Sequence, residues 1–163
     1  MKNFKINDAK FDIITSIDEI WHIRQVKFVE LVHNVFENTD NVVSSDFTTE
    51  MIKHVNNRDW HNISVVIENF KKAVSNETNM SSIEYAFSLI TLVEGEKQSE
   101  VSKEYHSEKM KNLIEKGITT GVITGEVLGF ITRHPFEFRT LGEAVRRLNS
   151  LLYQNNELED NLE

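Results

Sequence analysis

Residues 117–131 read "GITTGVITGEVLGFI", with Gly117, Gly121, Gly125 and Gly129 at a strict four-residue interval. Four of the protein's six glycines stand here, so the spacing demands an account. Gly117 follows "NLIEK", the place where a glycine closes a helix. The other three fit a helix over 120–132. A step from i to i+4 turns about 400°, so these glycines drift only about 40° per step and form one narrow stripe. Val122, Ile123, Val127, Leu128, Phe130 and Ile131 cover much of the remaining circumference, and Glu126 is the one charge. A helix apolar nearly all round is buried. Each glycine costs about 1 kcal/mol of helix propensity relative to alanine. A second backbone lying close against the stripe would offset that cost, and it could come from the same chain or a neighbouring subunit. Valine, isoleucine and threonine also favour strands, so a β reading competes.

The same stretch raises two other ideas that its neighbours reject. In a membrane, Gly-x-x-x-Gly is a helix-pairing motif. This apolar run is shorter than the ~20 residues needed to span a bilayer, and it carries Glu126. A phosphate loop needs a Gly-Lys-Ser/Thr ending or a Gly-x-Gly-x-x-Gly pattern, and neither occurs.

Composition sets the outer limits. The chain has 163 residues, 39% of them hydrophobic and 27% charged, which suits one folded domain rather than a disordered tail. Its net charge of −8 argues against general nucleic-acid binding. Cysteine is absent, which removes disulfides, thiolate metal sites and a cysteine nucleophile. The opening "MKNFKINDAKF" has no apolar core of a secretory signal.

Upstream, "FKINDAKFDI" reads as a β-hairpin turning at Asn7-Asp8. "TSIDEIWHIRQVKFVELVHNVF" has Ser16 and Glu19 in capping-box spacing, then Ile17, Ile20, Trp21, Phe28, Leu31, Val32, Val35 and Phe36 at helical intervals. "DFTTEMIKHV" is a short helix capped by Asp46, and "NNRD" is a turn before "DWHNISVVIENFKKAV". "SNETNM" breaks that helix. "SSIEYAFSLITLV" opens on a second box, Ser81 and Glu84, and runs to Gly95. "SEVSKEYHSEKMKNLIEK" is a charged helix closed by Gly117. Pro135 interrupts "RHPFEFR", and Thr140 and Glu143 box the start of "TLGEAVRRLNSLLY". The pieces predict a mainly α protein, a single-domain bundle of about six or seven helices over 1–153. It carries a short N-terminal β-hairpin over 4–14, and residues 154–163 form an acidic, flexible tail.

No constellation names a reaction. Glu30 and His33 form one Glu-x-x-His pair, but a di-iron bundle needs a second pair and two more glutamates. His54 and His61 are separated by the turn. No nucleophile elbow is present. We therefore expect no catalytic residues, no metal and no cofactor. Arg133, Arg139, Arg146 and Arg147 make a basic patch with Phe136 and Phe138 interleaved. Base stacking is one use of such a patch. Protein interfaces prefer the same residue types. Gly121, Gly125, Gly129, Phe136, Phe138, Arg139, Arg146 and Arg147 are the candidate contact residues.

Several stretches in order carry a resemblance: the hairpin "FKINDAKFDI", the long helix "ITSIDEIWHIRQVKFVELV", the helix-turn-helix "SSDFTTEMIKHVNNRDWHNISVVIENF", and "FSLITLVEGEKQSEVSKEYHSEKMKNLIEKG". Together, over about residues 4–132, they resemble small helical tail, portal-ring and tail-assembly proteins of tailed bacteriophages, crAss-like phages among them. "RHPFEFRTLGEAVRRLNSLLY" departs from that pattern. The resemblance implies a non-enzymatic virion or assembly component, located in the virion and assembled in the host cytoplasm. It would bind copies of itself and portal or tail proteins as a homo-oligomer; the absence of an apolar span and the negative charge, read above, separately argue against a membrane and against nucleic acid as partners. The alternative is a small acidic helical inhibitor or adaptor that binds one protein and whose negative charge imitates nucleic acid.

Overall fold

The N-terminal strands form where apolar and polar residues alternate. The computed structural model describes residues 1–6, 9–37, 53, 54, 56–134, 137, 140, 143 and 144. Strand β1 (Lys2–Ile6) pairs antiparallel with β2 (Ala9–Ile13), Phe4 opposite Phe11 and Ile6 opposite Ala9. Asn7 and Asp8, the expected turn, lie outside the described residues. The Phe4 and Phe11 rings stack 5.7 Å apart, and Phe11 and Ile13 are buried.

Five α-helices follow among the described residues, fewer than the six or seven expected. They are α1 (His22–Glu37), α2 (Trp60–Ala73), α3 (Glu77–Ile90), α4 (Lys103–Glu115) and α5 (Thr120–Arg133). The expected helix after Asp46, and most of the one over 140–153, lie outside the described residues. Helix α3 is the centre. It packs against α1, α4 and α5, and Ala86 through Ile90 are all fully buried. Phe28 of α1 and Phe130 of α5 meet edge to face at 5.1 Å.

Three boundaries differ from expectation, each for a local reason. The Ser16–Glu19 box does not start α1. Ile17–Glu19 is a single 3₁₀ turn, Ser16 makes no side-chain cap bond, and α1 begins at His22. Gln98 takes the Trp21 N–H, and the Gln25 amide donates to the Ile17 and Ile20 carbonyls, so the chain is held in a break there. Trp21, expected on the apolar stripe, is 60% exposed as a result. The "SNETNM" break is in fact the start of α3. Asn76 caps it by accepting from the Asn79 N–H at 2.9 Å, and the Ser81–Glu84 pair falls inside the helix.

The third difference made a sheet. The helix expected through Val93 ends at Ile90, and Thr91–Val93 becomes β3, antiparallel to Phe11–Ile13. Thr91 and Val93 are β-branched, which suits a strand, and the waiting edge of β2 supplies the partners. The sheet order is β1-β2-β3. Elsewhere the reading agrees with the structure. Arg58 and Asp59 turn the chain into α2, with Asp59 as its cap. Gly117 has φ 99°. It closes α4 with bonds from Gly117 N–H to Ile114 and from Ile118 N–H to Leu113.

Candidate functional site

Helix α5 holds the glycines whose role was in question. It is a helix, from Thr120 to Arg133, but it is not buried all round. Ile123, Val127, Phe130 and Ile131 form the buried face. The glycines lie elsewhere: Gly121 and Gly125 are exposed and Gly129 half-exposed. Among the described residues a Cβ at Gly125 would meet nothing within 4 Å, and one at Gly121 only the Thr119 hydroxyl at 3.8 Å. At Gly129 it would meet the end of the Arg133 side chain at 3.3 Å. Among the described residues no second backbone lies on the stripe, so of the two partners left open, same chain or neighbouring subunit, none of the described residues supplies the first. The apolar circumference misled because glycine, unlike leucine, carries no preference for either side of a helix. Phe136, Phe138, Arg139, Arg146 and Arg147 lie outside the described residues.

The most concentrated polar chemistry is in the interior, at a place sequence reasoning passed over. Arg24 of α1 and Glu96 both have fully buried side chains, and the Lys109 side chain of α4 is 4% exposed. Arg24 Nη2 meets the Glu96 carboxylate at 2.7 Å. Lys109 Nζ meets it at 2.7 Å, and the Val93 N–H donates to it at 3.0 Å. The cations also serve backbone carbonyls. Arg24 donates to Gln98, Leu89 and Lys97, and Lys109 donates to Ser88 and Thr91. The knot therefore ties α1, the end of α3, β3 and α4 to one carboxylate. Gln98 finishes the attachment by accepting from Trp21 N–H and donating to the Glu19 carbonyl.

Two cations share one anion in the knot. Burial draws Lys109 down to about 8, against the pull of Glu96. Burial acts to raise Glu96, but Lys109, the Val93 N–H and Arg24 outweigh it and hold the carboxyl below its usual range. A signal for the knot did exist. Arg24 sits between Ile20 and Phe28 at four-residue steps, and Lys109 precedes Met110 and Leu113, so both occupy apolar stripes.

Beside the knot lies a serine–histidine pair. His106 is fully buried. Its Nε2 faces the Glu100 carbonyl at 3.0 Å and its Nδ1 faces Ser88 Oγ at 2.6 Å. A carbonyl only accepts, so Nε2 bears the proton and Ser88 donates to Nδ1. Desolvation depresses the His106 pKa below the ordinary histidine value. The direction of the bond resembles nucleophile activation, but Ser88 itself has no exposed surface. Both ring nitrogens of His106 are taken up, by Ser88 and by the Glu100 carbonyl, in the interior. Tyr85 donates its hydroxyl to the Val101 carbonyl on the same side.

A cleft of about 520 Å³ opens between α1, α3 and α4, with Leu31, Tyr85 and Met110 in its lining and Glu30, Lys103 and Lys111 among its charged groups. Glu30 pairs with Lys27 at 3.0 Å, within the helix. His54 faces Asp59 at 3.5 Å. Among the described residues no group of three or more metal-ligating side chains converges. None of their helices is long and apolar enough to cross a membrane. Large apolar side chains do reach the surface: Trp60 is 72% exposed, Trp21 60% and Ile23 52%. No protein-family model, no curated protein and no solved structure matches the chain.

Proposed function

We propose that the chain is a non-enzymatic bacteriophage virion structural or assembly protein, a portal-vertex or tail-ring component or a tail-assembly factor, acting through oligomeric protein contacts. The order of the hairpin, the helices and the Glu94-Gly95-Glu96 break between them supplies the phage part of the reading. One observation favours contact over catalysis. The most desolvated ionisable groups, Glu96, Lys109 and His106, have buried side chains that are already bonded, Glu96 to Lys109 and His106 to Ser88 and the Glu100 carbonyl, whereas two tryptophans stand 60% and 72% exposed. Tryptophan is the residue most enriched at the energetic centres of protein interfaces. The glycine stripe adds a surface on α5 where a neighbouring subunit could approach a backbone closely.

Light scattering on the purified protein, alone and with portal and tail proteins of the same phage, tests this. The expected result is a closed oligomer, or one formed with a portal partner. Trp21→Ser and Trp60→Ser should weaken it while leaving far-UV circular dichroism unchanged. A stable monomer that binds none of those proteins overturns the reading.

A further inference from the structure

The cleft of about 520 Å³ between α1, α3 and α4 contains one polar group that its neighbours leave unpartnered. The other polar side chains of its lining that are withdrawn from solvent are bonded. Lys27 and Glu30 pair with each other, Ser82 donates to the Thr78 carbonyl and Tyr85 to the Val101 carbonyl, and His106 uses both ring nitrogens. Glu84 of α3 differs. It is half-buried and lines the cleft, and among the described residues no hydrogen bond or ion pair reaches its carboxylate. Burial raises its carboxyl above the usual carboxylate value. A partly desolvated carboxylate with no partner costs stability, and a cation brought to it offsets that cost. The rest of the lining describes the cation. Leu31 and Met110 are buried, and Ile114 is 42% exposed. Apolar walls beside one carboxylate suit an aliphatic chain that ends in an ammonium. On α4, Lys103, Ser107 and Lys111 follow at four-residue steps, which sets the two lysines about 12 Å apart along the helix. Both lysines are exposed, line the cleft and have no ion pair among the described residues. They repel a second ammonium and attract an anion.

We infer that this cleft binds an aliphatic ω-amino acid, its ammonium on the Glu84 carboxylate, its methylenes against Leu31, Met110 and Ile114, and its carboxylate at Lys103 or Lys111. Charge complementarity selects this class over its relatives. A simple alkylamine satisfies Glu84 and leaves the lysines unanswered. A diamine brings its second cation to them, and a fatty acid brings nothing to Glu84. The volume falls within the range of about 300–1,000 Å³ usual for small-molecule sites. The site uses neither the exposed tryptophans nor the glycine stripe, so the inference goes beyond the assembly role and does not depend on it.

The test titrates the full chain with ε-aminohexanoate, n-hexylamine, hexanoate and diaminohexane, followed by calorimetry and by amide NMR shifts. The ω-amino acid should bind about tenfold tighter than hexanoate or the diamine, with hexylamine between them, and the shifts should fall on α1, α3 and α4. Glu84→Gln should weaken ε-aminohexanoate about tenfold while the melting temperature of the free protein stays the same or rises, because that carboxylate has no partner to lose. Lys103→Glu combined with Lys111→Glu should make the diamine the preferred ligand; both sites are exposed, and circular dichroism checks the fold. The inference is overturned by no binding of ε-aminohexanoate, by equal binding of hexanoate, by shifts confined to other elements, by unchanged affinity in Glu84→Gln, or by an unchanged preference in the double variant. The probes are compared on the same protein whether it is a ring or a monomer, so failure here leaves the assembly reading standing.

Discussion

Replacing Glu96 with alanine removes the one carboxylate in the buried knot. Arg24 and Lys109 would then remain as cations with fully buried and 4% exposed side chains. Removing one partner of a buried ion pair costs about 3–5 kcal/mol, because the remaining charge is stranded. The Val93 N–H also loses its acceptor. At roughly 2–4 °C per kcal/mol for a chain of this size, the melting temperature should fall by roughly 6–20 °C. Urea unfolding followed by circular dichroism measures the loss directly, and an unchanged m-value would show that the native fold is retained. The pH dependence identifies the cause. Lys109 already sits at about 8 in the native protein, and without Glu96 it should fall further, while in the unfolded chain it returns to the ordinary lysine value. Between those two values the native state binds fewer protons than the unfolded state, so stability rises with pH. The deficit of Glu96→Ala should therefore shrink between pH 6 and pH 9, conditions set by that lysine window. Glu96→Ala combined with Lys109→Met, which removes the surplus cation, should recover at least ~1 kcal/mol of the loss. A loss below ~1 kcal/mol with no change in pH slope would refute the account of the knot as a charge-compensated tie.

Three further outcomes follow from the same geometry. Gly125→Ala should stabilise the isolated chain by up to ~1 kcal/mol, since the new Cβ meets nothing within 4 Å, whereas Gly117→Ala at φ 99° should destabilise it by a similar amount or more; thermal melts of the two variants decide. If Gly125→Leu leaves the melt unchanged yet abolishes an oligomer seen by light scattering, the stripe faces a neighbouring subunit. Asn76→Ala should cost about 1 kcal/mol by uncapping α3, measured by urea unfolding, and an unchanged midpoint would deny that Asn76 starts the helix. The depressed pKa of His106 means that its contribution is full above the unfolded histidine value and lost as pH falls through the native one. NMR titration should show its imidazole protonating below pH 6.5, and stability should decline on acidification through that range.

Local chemistry of the chain suffices for the hairpin, for α2 behind Asp59, for α4 and its Gly117 closure, and for the helical state of 120–133. Each rests on a period of 2 or about 3.6 or on one capping or turn residue, all within a few positions of one another. Tertiary structure decided the rest. Thr91–Val93 left the helix because the β2 edge, 82 residues earlier in the chain by the Phe11–Val93 pairing, offered backbone partners. The break before α1 depends on Gln98, and the ion knot joins residues 24, 96 and 109. The glycine stripe shows the same limit from the other direction. Its spacing proves one face of a helix, and only the packing of Ile123, Val127, Phe130 and Ile131 onto the core leaves that face outward. Periodicity describes a helix relative to its own axis, whereas burial depends on which neighbours the fold brings to it.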